Sequence, residues 1–158
     1  MKTPRRTPGS PAKGRSETPV QNAYIELQRT AQMCLRIVTE SMKPFGLTPA
    51  QFNVLRILRG AHAPLPASRI CERMIHDDPD LTRLLDRLEA AGLVAKERDT
   101  RDRRVVNVTI TPAGLRTVAR ASEAVSGCLD ERFAGLGPQR LATLAALLHE
   151  VREHAANE

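Results

Sequence analysis

Residues 81–94 of this chain read LTRLLDRLEAAGLV, and this stretch decides the fold. Its leucines at 81, 84, 85 and 88 follow the spacing that places side chains on one face of a helix. The other face is polar and consists of Asp80, Thr82, Arg83, Asp86 and Arg87. Asp78 before Pro79 predicts the start of this helix, and Gly92 predicts its end. Because the leucines must face a core, the polar face is left for a partner, or for local pairing of its arginines with Asp86.

A charged β-hairpin is expected directly after this helix. Residues 93–95 and 105–110 are rich in β-branched and apolar side chains and predict its two strands. The connection runs from Lys96 to Arg104, and its arginines are Arg98, Arg101, Arg103 and Arg104. Such a hairpin is too thin and too charged to pack into a core, so we expect its arginines to contact phosphates or a minor groove. The alternative is a solvated loop whose arginines are neutralised by Glu97, Asp99 and Asp102.

Three helices are predicted before residue 81. Apolar residues recur every three or four positions from Val20 to Met42 and predict a long helix that Pro44 and Gly46 end. Thr48-Pro49-Ala50-Gln51 is a capping box, so a second helix starts at Thr48 and continues until Gly60 ends it. Residues 61–66 are expected to form a loop. The apolar face of a short third helix consists of Ile70, Cys71, Met74 and Ile75.

Two helices are predicted after the hairpin. Thr111-Pro112 caps the first, whose apolar seam consists of Leu115, Val118, Ser122, Val125, Leu129 and Phe133. The second runs from about Pro138 to His154 and is expected to face inward with Leu141, Leu144, Ala145, Leu148 and Val151. Together with the stripe of the first helix, these apolar surfaces exceed what a small central domain can cover. We therefore expect a second copy of the chain to cover them, which makes the protein a homodimer.

The 158 residues fit one domain, and their charge is unevenly distributed. The net charge is +6, of which residues 1–19 contribute +4, because five basic residues stand there against Glu17. That stretch is rich in proline and almost free of apolar residues, so we expect a disordered basic arm at 1–19 and a single domain at 20–158. The basic start is not followed by the apolar stretch of a secretory signal, and no run approaches the ~18 apolar residues of a membrane span. A soluble, cytoplasmic protein without a membrane partner is expected.

The sequence contains no motif of catalysis or metal binding. It has no glycine-rich phosphate loop, no HExxH and no serine elbow, so we expect neither an enzyme nor a bound cofactor. His149 and His154 are about 140° apart around a helix and do not share a face for a metal ion. Cys34, Cys71 and Cys128 form no CxxC pair, which argues against a zinc site or a disulfide framework and favours small, partly buried thiols.

Three segments together resemble the MarR (multiple antibiotic resistance regulator) family of transcription regulators. They are residues 81–94, the triplet Asp102-Arg103-Arg104, and Thr109-Ile110-Thr111-Pro112-Ala113-Gly114. The resemblance extends from about residue 20 to residue 154. It implies a mainly α fold with a small β-hairpin wing, that is, a winged helix-turn-helix with N- and C-terminal dimerisation helices. The DNA-binding core would be 48–110, and the dimerisation helices would be 20–43 and 111–155.

The resemblance also implies roles for single residues. The recognition helix would run from Pro79 to Ala91, and Thr82 and Arg83 would meet the major groove. The wing would be Lys96 to Arg104, where Arg103 or Arg104 reaches the minor groove and Asp102 holds a wing arginine in place. One departure concerns Asp77, Asp78 and Asp80, because family members often carry small hydroxyl residues ahead of this helix. Their carboxylates repel phosphate, although Asp80 could accept a hydrogen bond from a cytosine amine.

The function that the resemblance implies is a sequence-specific transcription regulator, a ligand-responsive repressor. It would act as a homodimer on double-stranded DNA at a pseudo-palindromic operator, and a small, often aromatic effector would release it. The alternative is a helical protein-interaction module that does not bind DNA. The two differ in one simple property, because phosphate contacts make duplex binding weaken steeply with salt, whereas a protein-only module binds no duplex.

Overall fold

The computed structural model describes residues 18–75 and 80–156 and is mainly helical with one small antiparallel sheet. Its elements are α1 Pro19–Met42, a 3₁₀ turn Lys43–Phe45, α2 Pro49–Ala61, β1 Leu65–Pro66, α3 Ala67–Arg73, α4 Leu81–Ala90, β2 Val94–Arg98, β3 Val106–Ile110, α5 Pro112–Phe133 and α6 Gly137–Ala156. The predicted fold class is thereby confirmed. No helix within the described ranges is long and apolar enough to cross a membrane.

The chain divides into two units, one that ends at Met33 and one that covers Cys34–Glu158. What is described of the first unit is the N-terminal part of α1. The sheet and the core belong to the second unit. Its largest fully buried side chains are Met42, Leu55, Leu58, Ile70, Leu88, Val54, Val108 and Val118. These residues come from α2, α3, α4, α5, β3 and the end of α1, so one core holds the central elements of this unit together.

Two helices begin with the same cap. At α2, the Thr48 hydroxyl accepts from the Gln51 amide (3.2 Å), and the Gln51 side chain accepts from the Thr48 amide (2.9 Å), which confirms the predicted capping box. Thr18 and Gln21 make the same two hydrogen bonds at the start of α1. The helix therefore begins at Pro19, so the last two residues that we assigned to the disordered arm belong to a helix start. The remainder of the predicted arm lies outside the described residues.

The segment between α2 and α3 differs from the prediction. Gly60 does not end α2, because the helix continues to Ala61 and His62 adopts the left-handed conformation at φ 53°. Glycine inside a helix costs only about 1 kcal/mol relative to alanine, so a glycine by itself does not mark a helix end. The expected loop contains a strand, since Leu65–Pro66 pairs with β3 as β1. A two-residue edge strand that includes proline has no recognisable sequence pattern.

The sheet has the order β1-β3-β2, and the hairpin of β2 and β3 is longer than expected. The register pairs Val94 with Ile110 at one end and Arg98 with Val106 at the other. Residues 96–98 therefore belong to β2 rather than to the connection. The sequence prediction ended this strand at its last apolar residue, but backbone pairing does not depend on apolar side chains where the strand is partly exposed to solvent.

Helix α4 presents its leucines to the core as predicted. Leu84, Leu85 and Leu88 are buried, Leu81 is half-buried, and Gly92 after the helix has φ 69°. The predicted start is wrong by two residues, because Asp80 takes the N-cap position and the Leu84 amide donates to its carbonyl (3.1 Å). Two aspartates two positions apart fit the same capping pattern, and only the non-helical backbone of Asp80 (φ −119°, ψ 36°) decides between them. Asp78 and Pro79 lie outside the described residues.

The start of α5 is locked against the end of α4 and the sheet. The Thr111 hydroxyl accepts from the Gly114 amide (3.0 Å) and donates to the Gly92 carbonyl (2.8 Å). Gly114 is buried, and a Cβ built on it would lie 2.1 Å from the Leu93 carbonyl oxygen and 2.8 Å from Cγ1 of Ile110. No side chain fits there without movement of the backbone. The Thr-Pro-x-Gly start thus allows α5 to begin directly against Leu93 and Ile110.

The expected burial of α3 and of the cysteines is partly wrong. Ile70 is fully buried, but Cys71 is exposed and Ile75 is 68% exposed. The reason is that α3 ends at Arg73, so Ile75 does not continue its apolar face. Cys128 is exposed as well, whereas Cys34 is half-buried.

Helix α6 does not face inward as predicted. None of its described side chains is buried, and Leu144, Ala145 and Val151 are exposed, although Leu141 and Leu148 are half-buried. The helical spacing of these residues is real, but spacing alone does not show which molecule covers a stripe. The described residues of the chain leave this stripe largely uncovered.

We expect Gly114→Ala to lower the free energy of unfolding by about 1–3 kcal/mol, because the new methyl group meets the backbone of Leu93 rather than a flexible side chain. Gly127→Ala is the matched control in the same helix, since nothing lies within 4 Å of its Cβ position. It should be neutral or stabilising by about 1 kcal/mol. Urea unfolding followed by circular dichroism, at one protein concentration, compares the two. Equal stabilities would show that the junction tolerates a side chain.

Candidate nucleic-acid interface

The polar face of α4 is open to solvent. Thr82, Arg83 and Arg87 are exposed, whereas the leucines of the same helix are held in the core. A helix anchored along one side cannot turn about its axis, so its opposite side chains are presented in a constant direction. The predicted recognition residues therefore share one accessible surface.

Arg83 has a local carboxylate partner at the start of α4. Its Nε lies 3.4 Å from Oδ2 of Asp80, and the Arg83 side chain is 75% exposed. A pair this exposed contributes little to stability, so Arg83 can leave it at small cost when a better partner is offered. The contact sets the two predicted roles in competition, because an Asp80 carboxylate paired with Arg83 is less available to accept a hydrogen bond from a cytosine.

Among the described residues, Asp86 pairs with Lys96 and not with Arg83 or Arg87, contrary to the alternative raised by the sequence. It accepts a hydrogen bond from Nζ of Lys96, which also lies 2.9 Å from Oε2 of Glu89. The Lys96 amide donates to the other oxygen of Glu89 (3.1 Å). The hydrogen bond to Asp86, which is the larger cause, and the hydrogen bond to Glu89 raise the pKa of Lys96 above its ordinary value. Lys96 was expected in the charged connection, but it lies in β2 and joins this strand to α4.

A signal for this contact was present in the sequence. Lys96 is two residues after the buried Val94, so strand alternation places both on the same face. Asp86 and Glu89 are three residues apart and lie on the same side of a helix. The three charged groups were not combined because no local pattern shows that the strand passes beside that side of the helix.

The connection between β2 and β3 is organised by Asp99. Its Oδ1 accepts from the amides of Arg101 (2.8 Å) and Asp102 (3.1 Å), and its Oδ2 accepts from the side-chain amide of Asn107 (3.2 Å). The Asp99 amide in turn donates to the Val105 carbonyl (2.9 Å). The hydrogen bonds from the Arg101 and Asp102 amides lower the pKa of Asp99 below its ordinary value of 3.8. Sequence reasoning gave Asp99 only the role of neutralising an arginine.

Asp102 supports the wing through the backbone. Its Oδ1 accepts from the Arg104 amide (2.9 Å), and its carbonyl accepts from the Val105 amide (2.9 Å). The resemblance implied that Asp102 holds a wing arginine, and the residue it holds is Arg104, by the main chain rather than by the guanidinium.

The wing arginines do not form ion pairs with the described acidic residues beside them. Arg98, Arg101, Arg103 and Arg104 are exposed, and none of the ion pairs found among residues 18–75 and 80–156 includes one of them. The carboxylates of Asp99 and Asp102 are occupied by backbone amides instead. Arg103 and Arg104 both precede β3, so strand alternation does not choose between them. The wing thus presents a concentrated positive charge. His76, Asp77 and Asp78, which precede α4, lie outside the described residues.

We expect Asp99→Ala to loosen the wing, because two amides lose their acceptor, whereas the neighbouring Thr100→Ala should leave it unchanged. Protection of the Arg101 and Asp102 amides from hydrogen exchange measures this by NMR. Folding lowers the pKa of Asp99. The stabilisation of the wing by the Asp99 carboxylate is therefore complete above the ordinary carboxyl pKa, and it is lost as the pH falls through the lowered pKa of the folded state. In the unsubstituted chain, wing order should therefore persist from neutral pH to about pH 4. Loss of order near pH 6 would contradict the assignment.

Comparisons with known proteins agree with this geometry. A family model described as the MarR family matches residues 45–105. The chain is 39% identical over 95 residues to the transcriptional repressor MdtR of Bacillus subtilis, a match that covers 60% of this chain and 61% of the repressor. An organohalide-sensing transcriptional regulator, solved with 2,4-dichlorophenol bound, has the same fold at 16% identity, with a TM-score of 0.80 over 92% of this chain and 86% of that one.

A further match is to the multiple antibiotic resistance protein MarR of Escherichia coli. Identity is 30% over 142 residues, which cover 87% of this chain and 98% of that protein. The match therefore includes the flanking helices as well as the winged centre. By sequence and by fold, this chain belongs to the MarR family of transcription regulators, whose fold is a DNA-binding winged helix-turn-helix.

Proposed function

We propose that the protein is a sequence-specific DNA-binding regulator that acts as a homodimer on a pseudo-palindromic operator, in the cytoplasm. The observation that carries this proposal is the combination of one exposed polar helix face with one wing whose exposed arginines form no ion pair with the other described residues. Both elements are anchored in the same core, so they can engage one duplex together.

The polar face of α4 suits the major groove. The groove is about 12 Å wide and admits one helix, whose exposed side chains can then reach base edges. Thr82 and Arg83 are in the first turn of α4, where recognition helices make their base contacts. Arg83 reads a guanine by a bidentate hydrogen bond once it leaves Asp80, and Arg87 lies one turn further along. Asp80 serves either as the resting partner of Arg83 or as an acceptor for a cytosine amine.

The wing suits the sugar-phosphate backbone and the minor groove beside it. Its arginines are long, exposed and concentrated on a turn whose main chain is held by Asp99 and Asp102. A preorganised turn loses little conformational freedom on binding, so more of the electrostatic attraction is retained as affinity. We infer that Arg103 or Arg104 enters the minor groove and that Arg98 and Arg101 contact phosphates.

The dimer is supported by apolar surface that the described residues leave open. In the first unit, Val20, Tyr24 and Leu27 are 78%, 58% and 43% exposed. In the second unit, Leu144, Leu147 and Val151 of α6 are 37%, 55% and 63% exposed. Helical stripes of this kind are the surfaces that a second copy of the same chain covers. Two-fold symmetry would then place two recognition helices about 34 Å apart, which is one turn of DNA.

Repression and response to a small aromatic effector complete the proposal. Repression is supported by the similarity to a named repressor from Bacillus subtilis. Effector binding is supported by the structural neighbour that was solved with 2,4-dichlorophenol. An effector that binds the DNA-free conformation more tightly would lower operator affinity by that difference in binding free energy.

The function is tested by selection from a random duplex library with the purified, unsubstituted protein. We expect enrichment of one inverted repeat with half-sites about one helical turn apart, and an affinity that falls steeply with salt. Enrichment of a sequence without two-fold symmetry would contradict the dimer. Absence of any duplex binding would favour the alternative of a protein-interaction module.

The helix and the wing should fail differently when they are altered. Arg83→Ala removes a base-reading donor, so we expect a loss of about 1–3 kcal/mol on the selected duplex and relaxed preference at one position of each half-site. Arg103→Ala and Arg104→Ala remove wing charge, so at least one should weaken selected and scrambled duplexes alike and reduce the salt slope by about one unit per lost contact. Arg152→Ala in α6 is the control.

Affinities for both duplexes across a salt series decide the assignment. If Arg83→Ala weakens the two duplexes equally and neither wing substitution changes anything, α4 does not read bases and the wing does not anchor the backbone. An effect of Arg152→Ala equal to that of Arg83→Ala would show that only net charge matters.

Leu144→Asp should separate the proposed dimer, because it places a carboxylate in an apolar stripe that would be desolvated in the interface. Gln139→Asp puts the same group on the opposite side of α6 and should have no effect. Sedimentation velocity over a concentration series measures the outcome. A Leu144→Asp protein that remains dimeric at micromolar concentration would exclude α6 from the interface.

A further inference from the structure

One lysine links the two elements that are proposed to contact DNA. Lys96 lies in β2, the strand that leads into the wing, and its ammonium group sits between Asp86 and Glu89 of α4. Its side chain is 22% exposed, whereas the carboxylate side chains are 55% and 41% exposed. The aliphatic stem is thus mostly covered while the charged end remains at the surface.

This contact differs in kind from the other ion pairs of the described residues. Those pairs join residues three or four positions apart, from Arg29 with Glu26 to His154 with Glu150, and so lie within a single turn. A local pair supports its own turn but cannot define the angle between two elements. Lys96 is ten residues from Asp86 and seven from Glu89, and it crosses from strand to helix.

The main chain strengthens the same link. Strand β2 is at the edge of the sheet, where alternate amides have no strand partner. The Lys96 amide donates to Oε1 of Glu89 (3.1 Å), and its Nζ lies 2.9 Å from Oε2 of the same carboxylate. One glutamate therefore receives both the backbone and the side chain of one residue. Sliding or rotation of α4 against β2 would break these contacts together.

We propose that Lys96 is a positioning residue for DNA recognition, which holds the recognition helix and the wing in one relative orientation by bridging Asp86 and Glu89. The inference rests on the proposed function. It adds to that function a residue that affects DNA recognition without touching the DNA. Lys96 also neutralises acidic charge on the recognition helix, since two carboxylates without it would repel the phosphates of a bound duplex.

Lys96→Met tests the bridge because it keeps the stem and removes the charge, whereas Lys96→Arg keeps the charge and is the matched control. We expect Lys96→Met to weaken binding to the selected duplex on the order of tenfold and to lower its preference over a scrambled duplex. The salt slope should fall by clearly less than the one unit expected for a lost phosphate contact, because Lys96 acts on its carboxylate partners and not on the duplex. Lys96→Arg should bind within about twofold of the unsubstituted protein.

The double substitution Asp86→Asn with Glu89→Gln separates positioning from plain electrostatics. Removing two negative charges from the recognition helix should tighten binding to every duplex if only repulsion matters. If the bridge positions the helix, the preference for the selected duplex over the scrambled one should fall, as with Lys96→Met. Circular dichroism and thermal unfolding of each variant establish that the fold is retained.

Three outcomes of the binding experiments overturn the inference. The first is an unchanged preference of Lys96→Met for the selected duplex over the scrambled one. The second is a salt slope of Lys96→Met reduced by one unit, which would indicate direct phosphate contact. The third is tighter and equally selective binding by the double variant. A cycle of Lys96→Met and Glu89→Gln on urea unfolding without DNA adds a separate reading, and zero coupling there removes the bridge itself. If the unsubstituted protein binds no duplex, the proposed function fails. A non-zero coupling energy between Lys96 and Glu89 would then show that Lys96 joins β2 to α4 without a role in DNA recognition.

Discussion

Burial of the leucine face of α4 is the constraint on which the rest of the site depends. Leu84, Leu85 and Leu88 are almost fully removed from solvent, and each such side chain stabilises the fold by about 1.5–3 kcal/mol. The helix cannot rotate without exposing them, so their burial also determines that Thr82, Arg83 and Arg87 point outward. The same packing brings α4 beside β2, where Lys96 meets Asp86 and Glu89.

Acidic side chains at this surface are engaged within the protein, and this leaves cationic ones available. Asp86 and Glu89 bind Lys96, while Asp99 and Asp102 accept backbone amides of the wing. The net charge of +6 is a poor guide to this surface, because most of it lies in the first nineteen residues. What makes the winged centre suited to a polyanion is the local allocation of hydrogen bonds.

Close approach of backbone elements gives this surface a rigid base. Gly114 lets α5 start against the carbonyl of Leu93, and Thr111 ties that start to Gly92. The hairpin therefore emerges between two fixed helix ends, with α4 before it and α5 after it. Exposed apolar residues of α1 and α6, such as Tyr24 and Val151, take no part in these contacts, and they are the surface on which the proposed pairing of two copies rests.

The sequence by itself determined the order of the helices, the caps at the start of α2 and α5 and the polar face of α4, because these depend on periodicity and on contacts within four residues. The capping box at Thr48, the leucine face of α4 and the start of α5 were all predicted correctly. Only the tertiary structure decided that α4 starts at Leu81, that Leu65–Pro66 joins the sheet and that the apolar stripe of α6 is left largely uncovered by the described residues. It also decided the partners of Lys96 and Asp99. Each of these features depends on which segment, distant in the sequence, packs beside the residue in question. A local sequence pattern does not specify that segment.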